Sequence, residues 1–151
     1  MNAKEYLSQA YRLDRRINSK LEQVDNLREL STKATASIHA ERISGTKERS
    51  PMENAIVKLI DLEHEINADI DKLVDLKREL TAFIDKLVNS NHKTLLELRY
   101  LNGFTWDRVA GSMGYDVRWI YRLHGAALKE AGAILRNTPV KATASHVESV
   151  L

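Results

Sequence analysis

No cysteine occurs in this chain, only two prolines and six glycines interrupt it, and its aromatic complement is two Trp, five Tyr and two Phe in 151 residues. The missing thiols exclude a disulfide framework, a thiolate metal site and thiol redox chemistry, and they suit a reducing compartment. Scarce Gly and Pro argue against a turn-rich β fold and for long helices. No stretch approaches the ~20 consecutive apolar residues that a membrane span needs, and the opening "MNAKEYLSQAYRLDRR" lacks the apolar core of a signal peptide. These absences lead to the expectation of a cytoplasmic, all-α protein with no membrane partner.

Catalytic signatures are missing too. The sequence holds no phosphate loop and no nucleophile elbow, and its five histidines, at 39, 64, 92, 124 and 146, are scattered over separate segments. His64 sits among carboxylates in "DLEHE", but no second His or Cys joins it at ligand spacing. Neither an enzyme, nor a metal site, nor a cofactor is expected.

What is present is periodic. Tyr6, Ala10, Leu13, Ile17, Val24, Leu27, Ala34 and Ile38 follow a heptad stripe that Lys20 and Ser31 interrupt, with Leu21 and Leu30 beside the gaps. "ERISGTKERSP" breaks the pattern. Ser50 and Glu53 then read as a capping box with Pro51 at the first helical position, where its missing N–H costs nothing. A second stripe runs Met52, Ile56, Leu59, Ile66, Ile70, Leu73, Leu80, Ile84, Leu87, with the charged Glu63 and Lys77 at two of its places. Helices over roughly 3–39 and 51–89 would each be ~55 Å long. Near-equal lengths and a short connector predict a long antiparallel helical hairpin, a coiled coil over residues 1–90. Two helices bury little alone, so pairing of hairpins into a homodimer is expected.

A different unit follows over 91–136. "NSNH" at 89–92 can cap a helix "KTLLELRYL" that stops at Gly103, and two more short helices complete the unit; the remainder, 137–151, reads as a flexible tail. Charge shifts along the chain: ten Lys/Arg face seven Asp/Glu in 1–50, five face nine in 51–90, and seven face four in 91–136. The last unit is therefore basic although the net charge is only +2.

Its spacing meets the demands of a helix-turn-helix. Ala110 is small where two helices would cross, Gly114 can take the positive φ of the turn, and Thr105 and Asp116 can cap the two helices. Val109, Met113, Tyr115, Ile120 and Leu123 are expected inward, opposed by Leu95, Leu98 and Leu101. Arg118, Tyr121, Arg122 and Gly125 then project from the opposite face of the second helix, where base edges would lie in a major groove. Trp106 is expected to wedge against the "LRYL" helix and Tyr100 to be core with its hydroxyl at the rim. Lys93, Arg99, Arg108 and Lys129 are candidate phosphate contacts.

The run "LLELRYLNGFTWDRVAGSMGYDVRWIYRLHGAALKEA" resembles region 4 of the sigma-70 family, the module that recognises the promoter −35 element. With its "SGTKERSPMEN" connector the chain is similar to small sigma-70 region 4-like regulators of phages and prophages, of the ArpU and RinA kind. The resemblance implies sequence-specific binding of double-stranded DNA and transcription regulation, with base-reading positions on Val117, Arg118, Tyr121 and Arg122. Sigma factors commonly place polar or charged residues where this chain has Val117 and Tyr121, so a −35 consensus does not give its target. A complete sigma also needs an aromatic, basic melting region, whereas residues 1–90 hold only Tyr6, Tyr11 and Phe83 as aromatics. Two rivals share the motif: an interaction protein that packs on RNA polymerase, and a DNA-packaging recognition subunit.

Overall fold

A computed structural model describes residues 1–40 and 51–137, with side chains described outside 34–40. Every regular element among the described residues is helical: α1 (Ala3–Ala40), α2 (Pro51–Ile84), α3 (Ser90–Leu96), a π-helical turn (Glu97–Leu101), α4 (Trp106–Met113) and α5 (Val117–Asn137). The chain is all-α, as its composition predicts, and no helix among the described residues is long and apolar enough to cross a membrane. Ser50, the 40–50 connector beyond Ala40 and the tail beyond Asn137 lie outside the described residues, although α2 does begin at Pro51.

Two compact units divide the described chain: residues 12–40 and 51–74 form one, and residues 1–11 and 75–137 the other. In the first, Ile17, Val24, Leu62 and Ile66 make a buried cluster flanked by Leu13, Leu27, Leu59 and Leu73. Lys20 pairs with Asp69 and Arg28 with Glu63, so rising numbers on α1 meet falling numbers on α2, and the helices run antiparallel there.

The interruption of the α1 stripe at Lys20 is filled by Lys20 itself. Its Nζ lies 2.6 Å from Asp69 Oδ2 and 3.3 Å from Glu65 Oε1, while the neighbouring Leu21 remains 44% exposed. The hydrogen bond from Lys20 holds the Asp69 carboxyl below its ordinary range against the opposing effect of desolvation, and the same bond raises Lys20. Asp69 is the one buried charged side chain among the described residues.

On α2 the buried positions are Ala55, Leu62, Ile66, Asp69, Leu80, Phe83 and Ile84, not the full expected stripe; Ile56 and Ile70 are exposed. At this level of the helix Asp69, paired with Lys20, is buried in place of Ile70. α2 also ends at Ile84 instead of reaching 89. Lys86 and Leu87 donate to the carbonyls of Phe83 and Ile84 across a tightened last turn, and Leu87 still buries its side chain.

The second unit starts from a reciprocal cap. Asn2 Oδ1 accepts from the Glu5 N–H at 2.8 Å and Glu5 Oε1 accepts from the Asn2 N–H at 3.0 Å, an N-x-x-E capping box that the heptad reading of α1 overlooks. Tyr6, Leu7 and Ala10 of α1 and Leu80, Phe83 and Ile84 of α2 are all buried in this unit. The Tyr6 ring meets Phe83 edge-on at 4.9 Å, and its hydroxyl donates to Glu79 Oε2 at 2.7 Å, with burial and then Glu79 raising the phenol far above its ordinary pKa. α3 packs chiefly on α5, and α4 packs on α5 and on the π turn.

Candidate nucleic-acid interface

α4 and α5 are set against each other by local chemistry readable in the sequence. Thr105 caps α4, its Oγ1 accepting from the Arg108 N–H at 3.2 Å. Gly114 ends that helix at φ +75°, and the N–H groups of Gly114 and Tyr115 both donate to the Ala110 carbonyl, which closes the turn in a left-handed cap. Asp116 then opens α5, its Oδ2 accepting from the Arg118 N–H at 3.0 Å.

Ile120, Leu123, Ala127 and Ala131 bury one side of α5. At ~100° per residue, Arg118, Arg122, Gly125, Lys129 and Arg136 share the opposite side, and Arg118, Arg122, Lys129 and Arg136 are exposed. Tyr121, 53% exposed, borders this row, while Val117 is half-buried at the start of the helix. The only acid within α5 is Glu130. It faces away from the row: Oε1 lies 2.7 Å from His92 Nδ1 and Oε2 accepts from the Val88 N–H at 2.7 Å. Desolvation pushes the Glu130 carboxyl up, but the N–H of Val88 and the side chain of His92 outweigh it, and the net shift is downward. The row of cations therefore contains no internal neutralising acid. Arg136 belongs to it as well, a residue that recognition of the first two turns leaves out but that i, i+4, i+7 counting from Arg118 would have found.

The other candidate cations have different surroundings. Arg99, half-buried, donates from Nη1 to the Phe104 carbonyl at 2.9 Å, with its guanidinium carbon 4.3 Å from the centre of the Trp106 ring. Arg108 is exposed and stacks at 3.8 Å over Phe104. Lys93 is half-buried on α3. Lys129 alone of the four shares the helix face of Arg118 and Arg122.

The expected inward set needs correction. Val109, Ile120 and Leu123 are buried and Met113 is half-buried, but Tyr115 is 39% exposed, its N–H drawn into the turn and its ring edge-on to Trp119 at 6.5 Å. On the preceding helix, Leu95, Leu96 and Tyr100 are buried, whereas Leu98 and Leu101 are half-buried. The π turn causes this shift. The Asn102 N–H reaches five residues back to the Glu97 carbonyl, and the widened ring changes which side chains face the core. Tyr100 meets its expectation: the ring is buried and the hydroxyl shares a hydrogen bond with His124 Nε2 at 2.7 Å. Trp106 meets the "LRYL" segment only through Arg99 among its ring contacts, at 4.3 Å, and otherwise packs on α5, its ring 4.5 Å from His124 and 5.6 Å from Tyr121. Desolvation first, and then the charges of Lys4 and Arg99, lower the His124 pKa to about 4, so the imidazole is neutral at pH 7.

Residues 30–132 match a family described as a protein of unknown function, DUF1492. The chain belongs to that family. The matched span runs from within α1 to within α5 and includes all of α2, α3 and α4, so Lys93, Arg99, Arg108, Val117, Arg118, Tyr121, Arg122 and Lys129 lie inside it and Arg136 outside. No curated protein and no solved structure matches the chain. Among the described residues no group of three or more His, Cys, Asp or Glu could hold a metal ion.

Proposed function

We propose that this chain is a sequence-specific double-stranded DNA-binding protein that regulates transcription. In this reading α4 and α5 act as a sigma-70 region 4-like helix-turn-helix, and the antiparallel pairing of α1 and α2 belongs to a helical hairpin through which a homodimer forms. The observation that carries it is the exposed row Arg118, Arg122, Lys129 and Arg136 on a helix whose single acid, Glu130, is turned to His92. Arg118 and Arg122, one turn apart near the helix start, suit forked contacts to guanine edges, and Tyr121 beside them suits a thymine methyl or a phosphate. Lys129 and Arg136, further along the same face, suit phosphates, as do the exposed Arg108 and the half-buried Lys93 and Arg99.

The experiment is selection of bound duplexes from a random pool, followed by titration of the enriched sequence at several salt concentrations. Enrichment of a defined sequence with a steep loss of affinity in salt is expected. Failure to enrich any sequence would overturn the reading. The exposed Tyr115 and Trp119 pair favours a second reading, in which the unit packs on a protein such as RNA polymerase and reads no bases. Salt-insensitive or absent duplex binding together with direct binding to polymerase would select it.

A further inference from the structure

α2 carries more apolar surface than α1 covers. Ile56, Ile60, Ile70 and Val74 are 44%, 49%, 41% and 50% exposed. With Glu63 and Asn67 between them they occupy positions 56, 60, 63, 67, 70 and 74, an unbroken alternation of steps of four and three. This is a second heptad seam. At ~100° per residue it is turned by roughly 110° from the seam of Ala55, Leu62, Ile66 and Asp69 that packs on α1. Leu21 of α1 borders it, across a groove that Leu21 lines with Arg28, Glu63 and Asn67.

We propose that this second seam is covered by the same seam of a second copy of the chain, running antiparallel, with the two-fold axis beside residue 65. The inference rests on the homodimer part of the reading above and is independent of the DNA part.

The two polar places in the seam choose both the occupant and the direction. In a parallel pair each position meets itself, so two Glu63 carboxylates would face each other in the middle of an apolar seam. In the antiparallel pair centred on residue 65, Ile56 meets Val74, Ile60 meets Ile70, and Glu63 meets Asn67, whose carboxamide donates to the carboxylate. The two-fold axis repeats each contact, so both copies satisfy Glu63 and every apolar place meets an apolar one. Sliding by one heptad in either direction sets Glu63, with the Arg28 that pairs with it at 3.9 Å, against Ile60 or Val74, which desolvates a charged pair on apolar surface. A partner helix with a wholly apolar seam fails for the same reason. The chain itself supplies the complementary pattern, and a buried polar pair of this kind is a known means of fixing register.

The absence of cysteine makes the arrangement directly testable. A disulfide needs Cα atoms within about 7 Å, and residues 60 and 70 of one helix are ~15 Å apart, so no bridge forms inside one chain. On mild oxidation the double variant Ile60→Cys/Ile70→Cys is expected to become a covalent dimer, while each single variant stays uncrosslinked. A parallel pair gives the reverse for the singles. Ile60→Glu and Ile70→Glu should each weaken dimerisation at least tenfold by sedimentation equilibrium with helix content unchanged. Asn67→Leu, a substitution at an exposed helical site, should weaken it as well by setting the charged Glu63 and its Arg28 partner against an apolar side chain. A wild-type chain that sediments as a monomer at its highest soluble concentration overturns this inference and the homodimer reading together. A dimeric wild type whose double variant does not crosslink, or whose single variants do, overturns the inference alone.

Discussion

The Tyr100 hydroxyl lies 2.7 Å from His124 Nε2, with the two rings stacked at 5.8 Å between the π turn and α5. Because His124 is neutral at pH 7, one of its ring nitrogens carries a proton and the other accepts, and the direction of the bond to Tyr100 follows that tautomer.

A pH dependence of stability follows from this pair. His124 titrates at about 4 in the folded protein against an ordinary 6.5. Between those values the unfolded chain binds a proton that the folded one does not, so the contribution is fully present above pH 6.5 and is lost as pH falls toward 4. Thermal unfolding followed by circular dichroism should show Tm falling through that window, and His124→Gln should flatten the slope there. An equal slope in the variant would assign the acid sensitivity to other groups.

Glycine to alanine should have opposite signs at two positions. Gly114 needs φ +75°, and an added Cβ would meet nothing within 4 Å, so the cost of Gly114→Ala is backbone strain alone, about 1–2 kcal/mol. Gly125 is helical and an added Cβ there also meets nothing, so Gly125→Ala should stabilise by roughly 0.5–1 kcal/mol. Denaturant melts of the two variants check both signs. The same Gly125→Ala change places a methyl on the face of Arg118 and Arg122, and duplex binding should not improve with stability.

Arg118→Ala and Arg122→Ala are each expected to lose ~1–3 kcal/mol of binding to the selected duplex, with unchanged melting temperature. Lys129→Ala should weaken binding to all duplexes alike and lower the salt slope by about one. Fluorescence anisotropy over a salt series separates the two behaviours. Sequence-independent losses at Arg118 and Arg122 would move them into the phosphate-contact class.

At Lys20 and Asp69 the order of stabilities is the test. Lys20→Ala leaves Asp69 buried without its counter-ion and should lower Tm, whereas Lys20→Leu/Asp69→Leu fills the seam with apolar surface and should equal or exceed the wild type. A double variant less stable than Lys20→Ala would show that the ion pair is irreplaceable there.

The elements most legible in the sequence are those fixed by one or two residues of special chemistry. Thr105, Gly114 and Asp116 set the caps and the turn of the last unit, and each acts on the backbone within four residues of itself, so spacing alone reveals it. The inward face of α5 followed from periodicity for the same reason. The π turn was not legible: "ELRYL" carries no breaker and no residue that marks the five-residue hydrogen bond from Asn102 to Glu97. Nor was the seam of α2, whose apolar residues cover nearly two faces. The burial of Asp69 in that seam goes with its bond to Lys20, a residue of the other helix that the pattern of α2 alone does not contain. Glu130 was equally opaque, since a carboxylate on a basic helix reads as solvated until His92 and the Val88 N–H are seen to hold it.

The pairing of Tyr6 with Phe83 and Glu79 bears on how the protein can be cut. The unit that contains α4 and α5 is discontinuous along the chain, drawing on residues 1–11 as well as 75–137. A fragment that begins at Ser90, the natural choice from helix boundaries, omits both sides of that contact together with the buried Leu7, Leu80 and Ile84. One that begins at Asp75 keeps Phe83 but strips its ring partner and leaves Glu79 without the phenol. A faithful excised domain would need residues 1–11 supplied in trans or tethered ahead of residue 75, so limited proteolysis within α1 or α2 should release pieces that remain associated until denatured.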